Sequence, residues 1–299
     1  MLTGKTINVN IHISPRLTLF CAMKVKRFTS LLAIGALLLL TPSAKGSELR
    51  NRKQVPIEYQ KIEELVNRIH KHNDLGNYPI TFTIVNGDYG GWIAEELRLC
   101  KEDHCSYYAN LNPFGFNRKT EKEIIRQSHL YTDIQGNAYT NGTIKLSQST
   151  FRILQGKDNF LACLLAHEIS HVINHDTYME SNASVEGGFD GDSEEDKLKR
   201  ASLDQESELR ADKDSIIMVA NSGFPIDSCK RFLAYVAKST GFAAPEDPYG
   251  THPSDKLRFT NAEKVIADYV PANQTLKNKP RKWVYDPQDN YLFFIPNEG

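Results

Sequence analysis

The stretch FLACLLAHEISHVINHD, Phe160 to Asp176, decides how the rest of the chain is read. It contains neither Gly nor Pro, and Leu161, Leu164, Leu165, Ile169, Val172 and Ile173 recur at helical spacing, so it predicts one uninterrupted helix. Residues four apart on such a helix are turned by about 400°, which projects His167 and His171 from one face. Two imidazoles placed in this way can reach one metal ion at ~2.0–2.1 Å. Glu168 follows the first histidine directly, where its carboxylate can take the proton of a zinc-activated water as that water attacks a carbonyl. The plainer alternative is a helix with two surface histidines. Both would then lie in an otherwise apolar stretch, where an unpaired imidazole is costly.

A zinc hydrolase needs a third protein ligand. The extended pattern HExxHxxGxxH would require Gly and His at the positions of Asn174 and Thr177, which excludes a metzincin. A glutamate on a later helix is the other common solution, and ELRAD, Glu208 to Asp212, offers it. Glu208 and Asp212 stand one turn apart: the first is placed to bind the metal, the second to accept the N–H of a ligand histidine and fix its tautomer. Glu206 is a rival ligand, but it lies about 200° around the helix from Glu208, so only one of the two can face the metal.

Working outward, VPIEYQKIEELVNRIHKHNDLG reads as an amphipathic helix with Ile57, Ile62, Leu65, Val66 and Ile69 on its apolar side and Gly76 as its stop. YPITFTIVNGD alternates as a strand, and NAYTNGTIKLSQSTF reads as a hairpin or edge strand turning at Asn141-Gly142. SVEGGFDGDSEED carries six acids between Glu186 and Asp196 and reads as a solvated loop leading to a helix that begins near Leu203. A calcium site there is the sharper alternative, although the ligand spacing fits no known loop. Helices over QESELRADKDSIIMVANSG and SCKRFLAYVAKST follow, and the tail KWVYDPQDNYLFFIPN alternates weakly, as added strands would. His175 is read as one more turn of the histidine helix, structural in role.

The 299 residues hold 36 Lys and Arg against 37 Asp and Glu. Six of the basic residues and no acid lie in residues 1–46, so the remainder carries 30 basic against 37 acidic residues. A chain that acidic, without a dense basic cluster, is not expected to bind nucleic acid. Residues 1–46 read as a signal peptide region: Lys24, Lys26 and Arg27 precede the ten-residue apolar run Leu31–Leu40, which ends in TPSAKGS, with Met23 a plausible true start. An uncleaved anchor or a buried helix is the alternative, though a spanning helix needs about 20 apolar residues. The expected division is residues 1–46 as signal, 47–128 as an N-terminal extension of unknown role, and 129–299 as the catalytic domain. The expected product is exported to the periplasm or secreted, without a stable membrane span. Cys100 and Cys105 can close a small disulfide loop or stand as two free thiols, whereas Cys163, within an apolar run, reads as a small core residue.

Four features in order resemble the zinc metallopeptidases that include the CAAX prenyl proteases, HtpX and the periplasmic proteases BepA and LoiP. They are NAYTNGTIKLS before the helix, HEISHVINH, ELRAD, and THPSDKLRF, together covering about residues 130 to 260. The resemblance implies an α+β, mainly helical, zincin-like domain with a small sheet whose edge strand lies beside the zinc helix. It implies one Zn2+ bound by His167, His171 and Glu208, with Glu168 as general base and Asn137 and Ala138 on a substrate-binding strand. It also implies that His252 and Arg258 reach the site from a later loop. His252 would then fill the metal's open position at rest or donate to an oxyanion, the alternative being a turn residue before Pro253 with no catalytic part; Arg258 would stabilise developing charge or pair with an acid of the ELRAD helix. The transmembrane helices of some members are lacking here, as is a BepA-like helical repeat. The expected function is an exported zinc metalloendopeptidase acting on protein or peptide substrates, such as misfolded envelope proteins. A chaperone-like or assembly factor with a self-blocked site is the alternative, and a zinc hydrolase of non-peptide substrates is a third reading.

Overall fold

A computed structural model describes residues 55–87, 89–96, 98, 133–239, 244–271 and 278–297. They fall in the compact unit Glu48–Gly299. The expected signal region, with its Leu31–Leu40 run, and the Cys100/Cys105 pair lie outside the described residues. Among the described residues no helix is long and apolar enough to cross a membrane.

The elements run α1 (Ile57–His72), β1 (Ile80–Val85), α2 (Tyr89–Glu96), β2 (Gly136–Ala138), β3 (Thr143–Ser147), α3 (Gln148–Ile153), α4 (Asp158–Asn174), α5 (Asp176–Glu186), α6 (Glu194–Asn221), α7 (Ser228–Ser239), α8 (Asp255–Asp268), β4 (Arg281–Asp286) and β5 (Tyr291–Pro296). This is the expected α+β architecture: helices around one mixed five-stranded sheet of order β2-β3-β1-β5-β4. Among these strands β1 and β3 run parallel, and the other pairs are antiparallel. Alternation decides the covered face, because Ile80, Phe82 and Ile84 of β1, Ile144 and Leu146 of β3, and Leu292 and Phe294 of β5 are all buried. Against that face pack Ile62, Leu65, Val66 and Ile69 of α1 and the apolar side of α4. Ile57, expected on the apolar side of α1, is instead exposed, and Tyr59 takes a buried place. Its hydroxyl accepts from Ile84 N–H at 3.0 Å and donates to the Asn290 carbonyl at 2.7 Å, tying α1 to β1 and to the turn that leads into β5.

The segment set apart in the sequence as an N-terminal extension therefore supplies the middle of the sheet. β1 pairs with β3 on one side and β5 on the other. A boundary at residue 128 would cut through this core, so residues 55–85 belong to the same core as β3 and β5.

Two helix boundaries also differ from expectation. The helix expected to start near Leu203 begins at Glu194, because Ser193 Oγ accepts from Asp196 N–H at 3.1 Å and Glu194, Glu195 and Asp196 fill the first turn. Acids there face the positive end of the helix dipole, so three of the six acids of the apparent loop belong to a helix start. His175 does not extend α4. It adopts the left-handed conformation, φ 55°, with its N–H turned back to the His171 and Val172 carbonyls, and α5 leaves in a new direction at Asp176.

α4 and α7 are joined covalently: Cys163, the expected core residue, is buried and forms a disulfide with Cys229. The hairpin β2–β3 turns at residues 139–142, where Gly142 takes φ +77° and a Cβ would come within 2.9 Å of the Pro79 carbonyl. Among the described strands β2 forms one edge of the sheet and lies against α4.

Candidate metal centre and active site

α4 and the long helix α6 cross so that His167, His171 and Glu208 offer ligand atoms all within 4.8 Å of one another. His167 Nε2 lies 3.2 Å from His171 Nε2 and 3.3 Å from Glu208 Oε2, and His171 Nε2 lies 3.4 Å from Glu208 Oε1. The edge of a tetrahedron with metal bonds of ~2.0–2.1 Å is about 3.4 Å, so these separations suit one tetrahedral ion.

The tautomers support the same reading. His167 Nδ1 faces Asp212 Oδ1 at 3.1 Å and His171 Nδ1 faces Asp176 Oδ2 at 2.9 Å. A carboxylate accepts and cannot donate, so each imidazole places a proton on Nδ1 and, when neutral, turns a bare Nε2 lone pair inward. Two lone pairs 3.2 Å apart beside a carboxylate repel unless a cation joins them. Glu208 Oε2 is buried and makes no well-aligned hydrogen bond, although His167 Nε2 at 3.3 Å and His252 Nδ1 at 3.1 Å both approach it. This donor set fits a divalent metal bound through two imidazoles and one carboxylate.

Electrostatics follow from the geometry. Burial works to lower the His167 pKa, yet Glu208 and Asp212 together hold it up to about 10. His171 is likewise pulled down by burial and raised to about 9 by Asp176 and Glu208. Burial would raise Glu208, but the two ligand histidines and His252 hold it far below the usual carboxylate range. The centre is thus strongly anionic and draws protons when no metal competes. Glu168 is buried beside it, and burial pushes its carboxyl up, with His167 and His171 pulling the other way.

Each aspartate is in turn fixed by an arginine. Arg258 donates from Nε and Nη2 to Asp212 at 2.7 and 2.6 Å, and Arg210 Nη2 donates to Asp176 Oδ1. Two parallel Arg–Asp–His relays therefore orient the two ligand histidines. Asp212 acts as expected on its helix position. Arg258, expected on a loop, stands in the first turn of α8, started by Ser254 Oγ accepting from Leu257 N–H. Its fork is engaged by Asp212, the pairing with the ELRAD helix, and its Nη2 is 4.0 Å from Glu208 Oε2. Asp176 and Arg210 escaped the sequence reading. Asp176 reaches His171 only because His175 breaks the helix, a break that no Gly or Pro marks.

His252 comes from the loop before α8. Its Nδ1 lies 3.1 Å from Glu208 Oε2 with the side chain 65% exposed, so it faces a ligand carboxylate rather than joining the three-residue donor group. Glu206 is exposed and outside that group. Asn137 and Ala138 lie on β2 as expected, the first exposed and the second half-buried. They border a groove: on one side a cavity of 340 Å³ is walled by Leu164, Ile216, Phe232, Leu233 and Val236, and on the other a 230 Å³ cavity carries Glu180 and Asp204. Burial, with Glu180 and Glu208 nearby, raises Asp204 to about 6.

No family model matches this chain, and neither a curated protein nor a solved structure matches it.

Proposed function

We propose that the protein is an exported zinc-dependent metalloendopeptidase. The observation that carries this reading is the convergence of His167, His171 and Glu208 within 4.8 Å, around the buried Glu208 Oε2, with the Glu168 carboxyl buried next to them. When bound, zinc supplies Lewis-acid polarisation of a carbonyl and lowers the pKa of water towards ~7.

The chain's own residues do the rest. His167 and His171 are held in one tautomer by Asp212 and Asp176, so the centre needs no reorganisation during turnover. Glu168 takes the proton of the attacking water and passes it to the leaving amine, a role favoured by the upward push that burial gives its carboxyl. The free edge of β2 pairs with an extended backbone, which positions the scissile bond without strict sequence preference. That suits unstructured polypeptides, including misfolded envelope proteins. The buried Cys163–Cys229 disulfide supports an oxidising compartment, as the expected signal region does.

A chaperone-like binder with a blocked site is the second reading, favoured by the contact of His252 with Glu208. Glu168 argues against it, since a purely structural metal has no use for a buried carboxylate beside its ligands. Incubating purified protein with casein, with added zinc and with a chelator, tests the proposal: cleavage that appears with zinc and stops with the chelator supports it, and intact casein under both conditions rejects it.

A further inference from the structure

We infer that Gly136 is a positioning residue that sets where a bound peptide backbone lies relative to the Glu168 carboxyl. The inference rests on the peptidase reading above, and starts from the register of the edge strand. In the β2–β3 pair, Gly136 stands opposite Leu146 and Ala138 opposite Ile144. Ser147 N–H donates to the Gln135 carbonyl at 3.1 Å and Tyr139 N–H to the Thr143 carbonyl at 2.9 Å, which places the odd-numbered residues of β2 in the hydrogen-bonded pairs. In an antiparallel ladder the intervening residues turn their N–H and C=O the other way. Gly136 and Ala138 therefore present their backbone groups to the free edge, where a substrate strand would add.

Of these two residues, Gly136 also touches the base. A Cβ built on it would lie 2.8 Å from Glu168 Oε1, 3.1 Å from Glu168 Cδ and 3.0 Å from Leu164 Cδ1. No side chain fits there unless Glu168 moves. Nor does the backbone require glycine, since the φ of Gly136 is not among the positive values. The requirement is one of space: the strand that holds the substrate rests directly on the residue that takes the proton. Glycine thus fixes the spacing between substrate backbone and base by having nothing in between.

Gly136→Ala keeps the backbone donor and acceptor and displaces the carboxyl. In the metal-loaded protein it should lower kcat by about tenfold or more, since small misplacements of reacting groups cost that much, with KM within about twofold and zinc content unchanged. Gly142→Ala, which strains the same hairpin at its turn without reaching Glu168, should lower thermal stability and leave kcat within about twofold. A double-mutant cycle separates positioning from mere packing: in a Glu168→Asp background, whose shorter side chain clears the new methyl, adding Gly136→Ala should cause no further loss in kcat. A Gly136→Ala variant with parental kcat, or one whose loss persists undiminished in the Glu168→Asp background, overturns the inference. A cycle in thermal stability needs no turnover: Gly136→Ala should lower Tm clearly more in the parent than in Glu168→Ala, where only the approach to Leu164 Cδ1 remains. An equal cost in both backgrounds overturns the contact whether or not peptides are cleaved, whereas a parent that cleaves no peptide rejects the peptidase reading and leaves this stability test standing.

Discussion

His171 Nδ1 lies 2.9 Å from Asp176 Oδ2, a residue only five positions further along the chain, because the left-handed turn at His175 folds the start of α5 back onto the end of α4. Asp176 is 2% exposed and is also held by Arg210 from α6. One short break thus supplies the carboxylate that fixes a ligand tautomer and links it to the helix carrying Glu208.

Removing that carboxylate should weaken the metal rather than the fold's topology. Asp176→Asn is expected to lower zinc affinity by about 10- to 100-fold, and Arg210→Ala by a smaller factor in the same direction. Competitive titration against a chromophoric chelator reads both; parental affinity in Asp176→Asn would remove it from the relay.

Glu208→Ala should lose most of the zinc, while Glu206→Ala, altering an exposed residue outside the cluster, should keep about one ion per chain. Metal analysis of the two variants decides between the acids, and full occupancy in Glu208→Ala would overturn the ligand assignment.

The metal-free protein should show an unusual loss of stability in base. His167 and His171 have folded-state values raised to about 10 and about 9, against roughly 6.5 in an unfolded chain. Raised values give a stabilisation that is complete below about pH 6.5 and disappears as pH climbs through about 9 to 10. Glu208 and Asp212, both depressed, act in the opposite sense and lose their contribution on acidification. Melting temperature of chelator-treated protein should therefore peak in mildly acidic solution and fall steadily to about pH 10, while the zinc-loaded form lacks that basic limb. Parallel curves for the two forms would contradict this charge arrangement.

How much of this could be read from the chain depends on how far apart the cooperating residues lie. The histidine pair, Glu168 and the ELRAD acids are set by spacing within single helices, so periodicity alone brought them to one face. Asp212 stands one turn from Glu208 for the same reason and faces His167 Nδ1 at 3.1 Å. Non-local facts were hidden: β1 looks like an isolated strand until it is seen between β3 and β5, and nothing in the run around Cys163 announces Cys229. The helix that carries Arg258 is not legible, because the capping Ser254 follows a proline-containing loop held by Gln205 of α6, which donates to the Asp247 and Gly250 carbonyls. Asp176 was missed because a histidine in left-handed conformation is not a break that composition reveals.

The Cys163–Cys229 bond closes a loop across 66 residues. Chain-entropy arithmetic puts its contribution on the order of 4 kcal/mol. Urea unfolding of Cys163→Ser/Cys229→Ser against the parent should show a loss of that order; a midpoint unchanged by the replacement would mean that the two helices pack as well without the bond.

His252 faces Glu208 Oε2 across the mouth of the groove. If this contact restrains the resting site, His252→Ala should raise basal hydrolysis of an unstructured substrate at unchanged zinc content; a clear fall in rate would assign His252 to transition-state stabilisation instead.

A metallopeptidase built on this centre requires Glu168 to act as the base beside a metal. Hydrolysis of one unstructured polypeptide should be followed with zinc-loaded parent and Glu168→Gln, metal content matched between them. The expected result is cleavage by the parent and a rate lower by orders of magnitude in the variant at equal zinc. Cleavage by Glu168→Gln at the parental rate, or none by the fully loaded parent, would contradict it.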